Sequence, residues 1–216
     1  MPSATRLVVF DWDGTLMDST GQIIAAASGA IAQLGLPLRS PEAIQDIIGL
    51  GLRESWQRLF PELEPDGFKS FAEAYRDHFF APALQTARLF ERAEEVLAEL
   101  ARRGYTLGVA TGKSRRGLDR ELAATGLGRF MAGSRTADET RSKPHPDMLL
   151  ELMAALQARP DATLMVGDTE WDLEMARRAG VPAVAVSYGA HAPERLRALG
   201  PLACIDALDA LLGIVE

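Results

Sequence analysis

The chain has 216 residues, 47% of them hydrophobic, which is enough for one domain, or one domain with an insert, around a buried core. A net charge of −7, with Lys and Arg scattered in short pairs such as Arg102-Arg103, argues against nucleic acid as a partner, and no apolar run approaches a membrane span. The single cysteine, Cys204, excludes an internal disulfide and a multi-cysteine metal site, and without a leader-like stretch at the N-terminus a cytoplasmic location is expected.

Arg6 to Phe10 reads as a buried strand, a short apolar run with Val8-Val9 at its centre. Asp18 and Ser19 then offer a helix start, and Ile23, Ile24, Ala27, Ile31 and Leu34 recur at helical spacing until Gly35 and Pro37. From there to Pro82 the periodic segments are all helical: Pro41 to Ile48, Leu52 to Phe60 and Gly67 to Phe80, with turns at Pro61 and Pro65-Asp66-Gly67. After Pro82 strands and helices alternate. Helices are expected at Glu91 to Arg103, Ser114 to Ala124, Asp147 to Gln157 and Glu170 to Ala179. Strands are expected at Tyr105 to Ala110, Phe130 to Gly133, Ala162 to Val166 and Pro182 to Val186. That alternation implies an α/β fold, a parallel sheet covered on both faces, with an all-helical insert after its first strand. The division is 1–16 and 83–216 for the core and 17–82 for the insert.

In such sheets ligands bind beyond the carboxyl ends of the strands. The first strand runs into Asp11, Asp13, Gly14 and Thr15, the second into Thr111 and Gly112, and a later one into Asp168 and Asp172. Lys143 stands between them, in Ser142-Lys143-Pro144. Clustered carboxylates repel one another and need a cation. Oxygen donors without His or Cys favour Mg2+. Mg2+ and Lys143 would supply, locally, the positive charge that an anionic substrate needs and the whole chain withholds. Asp11 can act as a nucleophile, and Asp13, two residues on and on the same strand face, as acid and then base. Gly14 exposes backbone N–H groups to an anion, and Thr111, Gly112 and Lys143 complete the phosphate-binding set. Asp168 completes the metal shell and Asp172 supports it.

Gly108 to Ser114, "GVATGKS", ends like a nucleotide-binding loop but is one residue short of that motif, with Leu107 where it needs glycine. Together with "DWDGT", "SKPHPDML" and "GDTEWD" it resembles instead the four motifs, in order, of the haloacid dehalogenase superfamily, in its phosphatase branch. The resemblance implies a Rossmann-like, doubly wound core with the helical insert as a cap closing over the site. It implies Mg2+ bound by Asp11, the Asp13 main-chain carbonyl and Asp168, and an aspartyl-phosphate at Asp11. Asp13 separates the chain from true dehalogenases and from phosphonate-cleaving relatives, and Thr15 favours a phosphatase over a sugar phosphomutase. "IIGLGLRES" is similar to the cap segment of phosphoglycolate-phosphatase-like members, so a small phosphorylated acid or sugar is the expected substrate, with pyrophosphate as an alternative. A phospho-Asp receiver module is the competing class, although receivers lack such an insert. Arg53 and Trp56 are the expected substrate contacts in the cap. Lys113 and Ser114 are read as a helix start, His145 as fixing its loop, and His78 and Cys204 as structural. The chain is expected to be a monomer or homodimer.

Overall fold

The structure is a computed structural model that describes residues 6–84 and 87–215. Residues 1–5 and 216, which the expected core includes, lie outside the described residues, as do residues 85 and 86.

Six parallel strands form one sheet: β1 (Leu7–Phe10), β4 (Thr106–Thr111), β5 (Met131–Thr136), β6 (Thr163–Gly167), β7 (Ala183–Val186) and β8 (Ala203–Ile205). Their spatial order is β5-β4-β1-β6-β7-β8. β1 is central, with Val8 level with Leu107 on one side and Leu164 on the other. Every residue of β1 is buried, as a strand covered on both faces must be. Val8 and Phe10 pack toward Val96, Leu97 and Leu100 of helix α5 (Ala93–Arg102) and Leu118 of α6 (Arg115–Thr125). Leu7 and Val9 pack toward Met148, Leu149 and Leu152 of α7 (Asp147–Ala155) and Leu173 of α8 (Glu170–Ala179). Successive residues thus serve opposite layers, which makes the sheet doubly wound.

A second, antiparallel ribbon pairs β2 (Met17–Asp18) with β3 (Arg88–Leu89). Between its strands lie α1 (Thr20–Gln33), α2 (Pro41–Gln45), α3 (Leu52–Leu59) and α4 (Gly67–Phe79). These helices share their own apolar centre, built by Ala30, Ile31, Ile44, Trp56, Phe60 and Phe71.

Several boundaries differ from expectation. α2 ends at Gln45, three residues early, and the chain continues in turns to Gly49 at φ +94°, a conformation glycine adopts without steric cost. α7 stops at Ala155, with Gln157 at φ +54°. β5 runs to Thr136, well past Gly133, because this edge strand is only partly buried and so accommodates the polar Ser134 and Arg135. The two-residue strands β2 and β3, the three-residue β8 and the short helix α9 (Pro193–Ala198) are too brief to leave a periodic signal. No helix among the described residues is long and apolar enough to cross a membrane.

Candidate active site

The chain turns outward in opposite directions from β1 and β6, so their carboxyl ends open one crevice. Asp11 follows β1 directly and Asp168 follows β6 directly. Asp172 lies in the first turn of α8, where its Oδ2 accepts from the Thr169 backbone N–H at 3.0 Å and from the Thr169 hydroxyl at 2.6 Å. The Thr169 hydroxyl accepts in return from the Asp172 backbone N–H at 3.4 Å, which completes a capping box. The cap orients Asp172 so that its other oxygen meets Lys143, whose Nζ is 2.6 Å from Asp172 Oδ1 and 2.7 Å from Asp11 Oδ1. Lys143 is fully buried, an arrangement an ammonium tolerates only when paired. Burial works against its charge, but Asp11 and Asp172 together hold its pKa above the ordinary lysine value.

Asp11, Asp168 and Asp172 bring carboxylate oxygens within 4.8 Å of one another. Asp11 Oδ1 accepts from the Trp12 backbone N–H at 2.6 Å, while Asp11 Oδ2 is buried with no hydrogen-bond partner. Asp168 accepts from the Thr15 hydroxyl at 2.8 Å and from the Ala190 N–H at 2.7 Å. Burial pushes Asp11 well above the usual carboxylate range, against the pull of Lys143 and with the help of Asp172 and Asp168. Burial and the neighbouring Asp172 push Asp168 up to about 7. A buried cluster of carboxylates in which Asp11 and Asp168 resist ionising, with Asp11 Oδ2 unpartnered, fits a divalent cation. The donors are hard oxygens only, which suits Mg2+.

Gly14 stands at φ +78°, and a Cβ there would collide with the Asp168 carboxylate. Asp13 faces the other side of the crevice. Its carboxylate takes the Ser19 hydroxyl at 2.6 Å and Lys113 Nζ at 2.9 and 3.1 Å. Ser19 does precede α1, but its hydroxyl serves Asp13 and makes no helix cap. Lys113 also meets Glu121 at 2.9 Å, and Glu121 accepts from the Trp12 indole N–H. Although burial opposes its charge, Asp13 and Glu121 hold Lys113 above the ordinary lysine range. The expectation that Lys113 merely starts a helix is therefore corrected: Ser114 caps α6, accepting from Gly117 N at 3.3 Å, while Lys113 turns inward onto Asp13. Its position two residues past Thr111, at a strand's carboxyl end, was the available signal.

Asp11, Asp13, Thr111 and Gly112 line a cavity of about 1010 Å³ between the sheet and the helices of the insert. Lys143, Asp168 and Asp172 are fully buried and cluster on Asp11. Thr111 is buried and its hydroxyl accepts from Lys113 N at 3.2 Å. Gly112 is placed by packing: a Cβ there would collide with the carbonyls of Gly49 and Leu50. Arg53 lines the cavity, stacked over Phe68 at 4.5 Å. Trp56 does not. It is buried between Phe60 and Phe71, at ring-centroid distances of 4.8 and 5.4 Å, so the expected substrate contact is corrected to a packing role. His145 contacts Asp147 at 3.1 Å, and His78 bonds Gln33 at 2.9 Å.

The insert is tied to the sheet on two sides. Gly51 N donates to Ser142 Oγ at 2.7 Å. Near the start of α8 and of α9, Gln45 donates to the Ala190 carbonyl at 2.5 Å, Trp171 Nε1 donates to the Asp46 carbonyl at 3.3 Å, and Arg195 pairs with the Asp46 carboxylate at 2.6 Å.

The family model described as "Haloacid dehalogenase-like hydrolase" matches residues 8–186. "Probable phosphatase IndB" of Dickeya dadantii is 36% identical, covering 96% of this chain and 92% of its own. "Phosphoglycolate phosphatase" of Vibrio parahaemolyticus is 30% identical, covering 97% and 96%. A solved structure of a "predicted phosphoglycolate phosphatase" from Haemophilus somnus superimposes with a TM-score of 0.88, at 26% identity and 99% coverage of both chains. Four motifs meeting at one crevice, and a match spanning nearly the whole chain, make this protein a member of the haloacid dehalogenase-like hydrolase family.

Proposed function

We propose that the protein is a Mg2+-dependent phosphomonoesterase that works through an aspartyl-phosphate at Asp11 on a small phosphorylated metabolite. The observation that carries this reading is the buried Asp11 carboxylate, one oxygen held by Trp12 N–H and Lys143 and the other unpartnered, on a cavity it shares with Asp13. The relatives that bear phosphatase names support the same class of chemistry.

In the first half-reaction an Asp11 carboxylate oxygen bonds to phosphorus as the ester P–O bond breaks. Asp13 gives its proton to the leaving oxygen. In the second, Asp13 takes a proton from water, whose oxygen bonds to phosphorus and breaks the bond to Asp11, releasing phosphate. Lys113 and Ser19 fix the orientation of the Asp13 carboxylate. Lys143 and Thr111 hold the equatorial phosphoryl oxygens, where charge spreads in the transition state. Asp172 holds Lys143 in place. Asp11, Asp168 and the Asp13 main-chain carbonyl would hold Mg2+, which supplies further positive charge to the phosphoryl group. In this reading residues 17–82 act as a cap over a core of 1–16 and 83–216, and the cap keeps bulk water from the first half-reaction.

The test is phosphate release from a panel of phosphorylated metabolites, with Mg2+ or EDTA, by the wild type and Asp11→Asn. Release that needs Mg2+ and disappears in the variant is expected. Normal turnover by Asp11→Asn would overturn the proposal.

A further inference from the structure

The cavity carries more positive charge at its mouth than the chemistry at Asp11 uses. Arg53, Lys69 and Arg76 come from the insert, and Arg116 and Arg120 from α6 of the sheet domain. Among the described residues most arginines are tied to a carboxylate, including Arg39, Arg92, Arg102, Arg115, Arg135 and Arg195. Among the described residues none of the five mouth cations makes an ion pair, although Glu54, Asp77 and Asp138 also line the cavity.

Two of the guanidinium groups are positioned without using their N–H donors. Arg53 lies over Phe68 at 4.5 Å and Arg120 over Phe80 at 4.5 Å. Stacking on an aromatic face orients the planar fork and leaves its edge donors free. Arg116 and Arg120 are four residues apart on α6 and Lys69 and Arg76 seven apart on α4, so each pair presents to one side of its helix. Arg120 belongs to the sheet side and Phe80 to the insert, so the stack itself bridges the two. In a chain of net charge −7, unpaired cations gathered from both sides of one cavity mark a place for an anion.

We infer that the substrate bears a second anionic group, a carboxylate or a phosphate, on the part of the molecule away from the scissile ester, and that Arg76, Arg116 and Arg120 recognise it. This rests on the phosphatase reading and narrows it. Phosphate esters without a second charge engage the Asp11 side alone. Anionic ones engage both sides of the cavity, and the guanidinium fork suits carboxylate and phosphate alike.

The experiment compares pairs of esters of similar size, one member of which carries a second charge: ethyl phosphate with phosphoglycolate, and glucose 6-phosphate with 6-phosphogluconate. A third probe, glucose 1,6-bisphosphate, separates a phosphate from a carboxylate preference. The wild type is expected to favour the anionic member at least about tenfold in kcat/KM, mainly through KM. In the double variant R76Q/R120Q that ratio is expected to fall toward one. Arg88→Gln removes the same kind of unpaired charge from outside the cavity and is expected to keep the ratio. Equal kcat/KM for neutral and anionic members in the wild type would overturn the inference and leave the phosphatase reading standing. So would an unchanged ratio in R76Q/R120Q. If no compound releases phosphate, that reading fails, and calorimetry on the same pairs decides the inference: tighter binding of the anionic member that is lost in R76Q/R120Q upholds it, and equal binding overturns it.

Discussion

Replacing Lys143 by methionine keeps most of its buried volume and removes its charge. Its ammonium stands 2.7 Å from Asp11 and 2.6 Å from Asp172, with no solvent exposure. Without it, carboxylate oxygens within 4.8 Å of one another face each other uncompensated. Two unit charges at that distance repel by about 3.5 kcal/mol at an effective dielectric of 20. Breaking a buried pair by removing one partner costs about 3–5 kcal/mol, in agreement with that figure. For a chain of this length that corresponds to a fall of roughly 6–20 °C in Tm. The assay is urea and thermal unfolding of wild type and Lys143→Met in EDTA, across pH. The deficit of the variant is expected to shrink as pH falls, because protonating Asp11 or Asp168 removes the repulsion. Saturating Mg2+ is expected to recover much of it by replacing one buried cation with another. A variant within about 1 kcal/mol of wild type in EDTA at pH 8 would refute the account of Lys143 as the counter-charge of this cluster.

The wild type itself is expected to be pH-sensitive when metal-free. Folded Asp168 keeps its proton up to about 7, while the ordinary aspartate value is 3.8. Within that window the folded state binds the extra proton, so stability is withdrawn as pH rises toward and through 7. Asp11, also raised, acts in the same direction. Mg2+ competes with these protons, so its stabilisation should grow with pH, and unfolding in EDTA and in Mg2+ from pH 5 to 8 measures both; metal-free stability that rises over this range would contradict the assignment. Trp56→Ala is expected to destabilise by about 3–5 kcal/mol, because it empties the centre of the helical insert. Thermal unfolding measures that loss, and a Tm matching wild type would show that Trp56 is not part of this core.

The sequence by itself determined the alternation of strands and helices and the four segments that meet at the site. The reason is that a buried parallel strand is mostly apolar, so the polar residues at or just past its carboxyl end stand out: Asp11 after Phe10, Thr111 closing β4, Asp168 after Gly167. Helix ends were legible where a local rule decides them, as at Ser114, whose hydroxyl caps α6, and at Ala179, the last residue of α8. The two-residue ribbon and β8 were not, because their length is set by partners distant in sequence. Only the tertiary structure decided what each charged side chain faces. Lys113 and Lys143 are alike as letters, one before a helix and one before a proline, yet one holds Asp13 and the other joins Asp11 to Asp172. Arg53 and Trp56 share one helix, and packing sent the first to the cavity and the second to the core. Local pattern states which residues are apolar and where the chain turns. Which carboxylate a buried lysine answers depends on the neighbours that the fold brings within 3 Å, and those come from segments 100 or more residues apart for both Lys143–Asp11 and Lys113–Asp13.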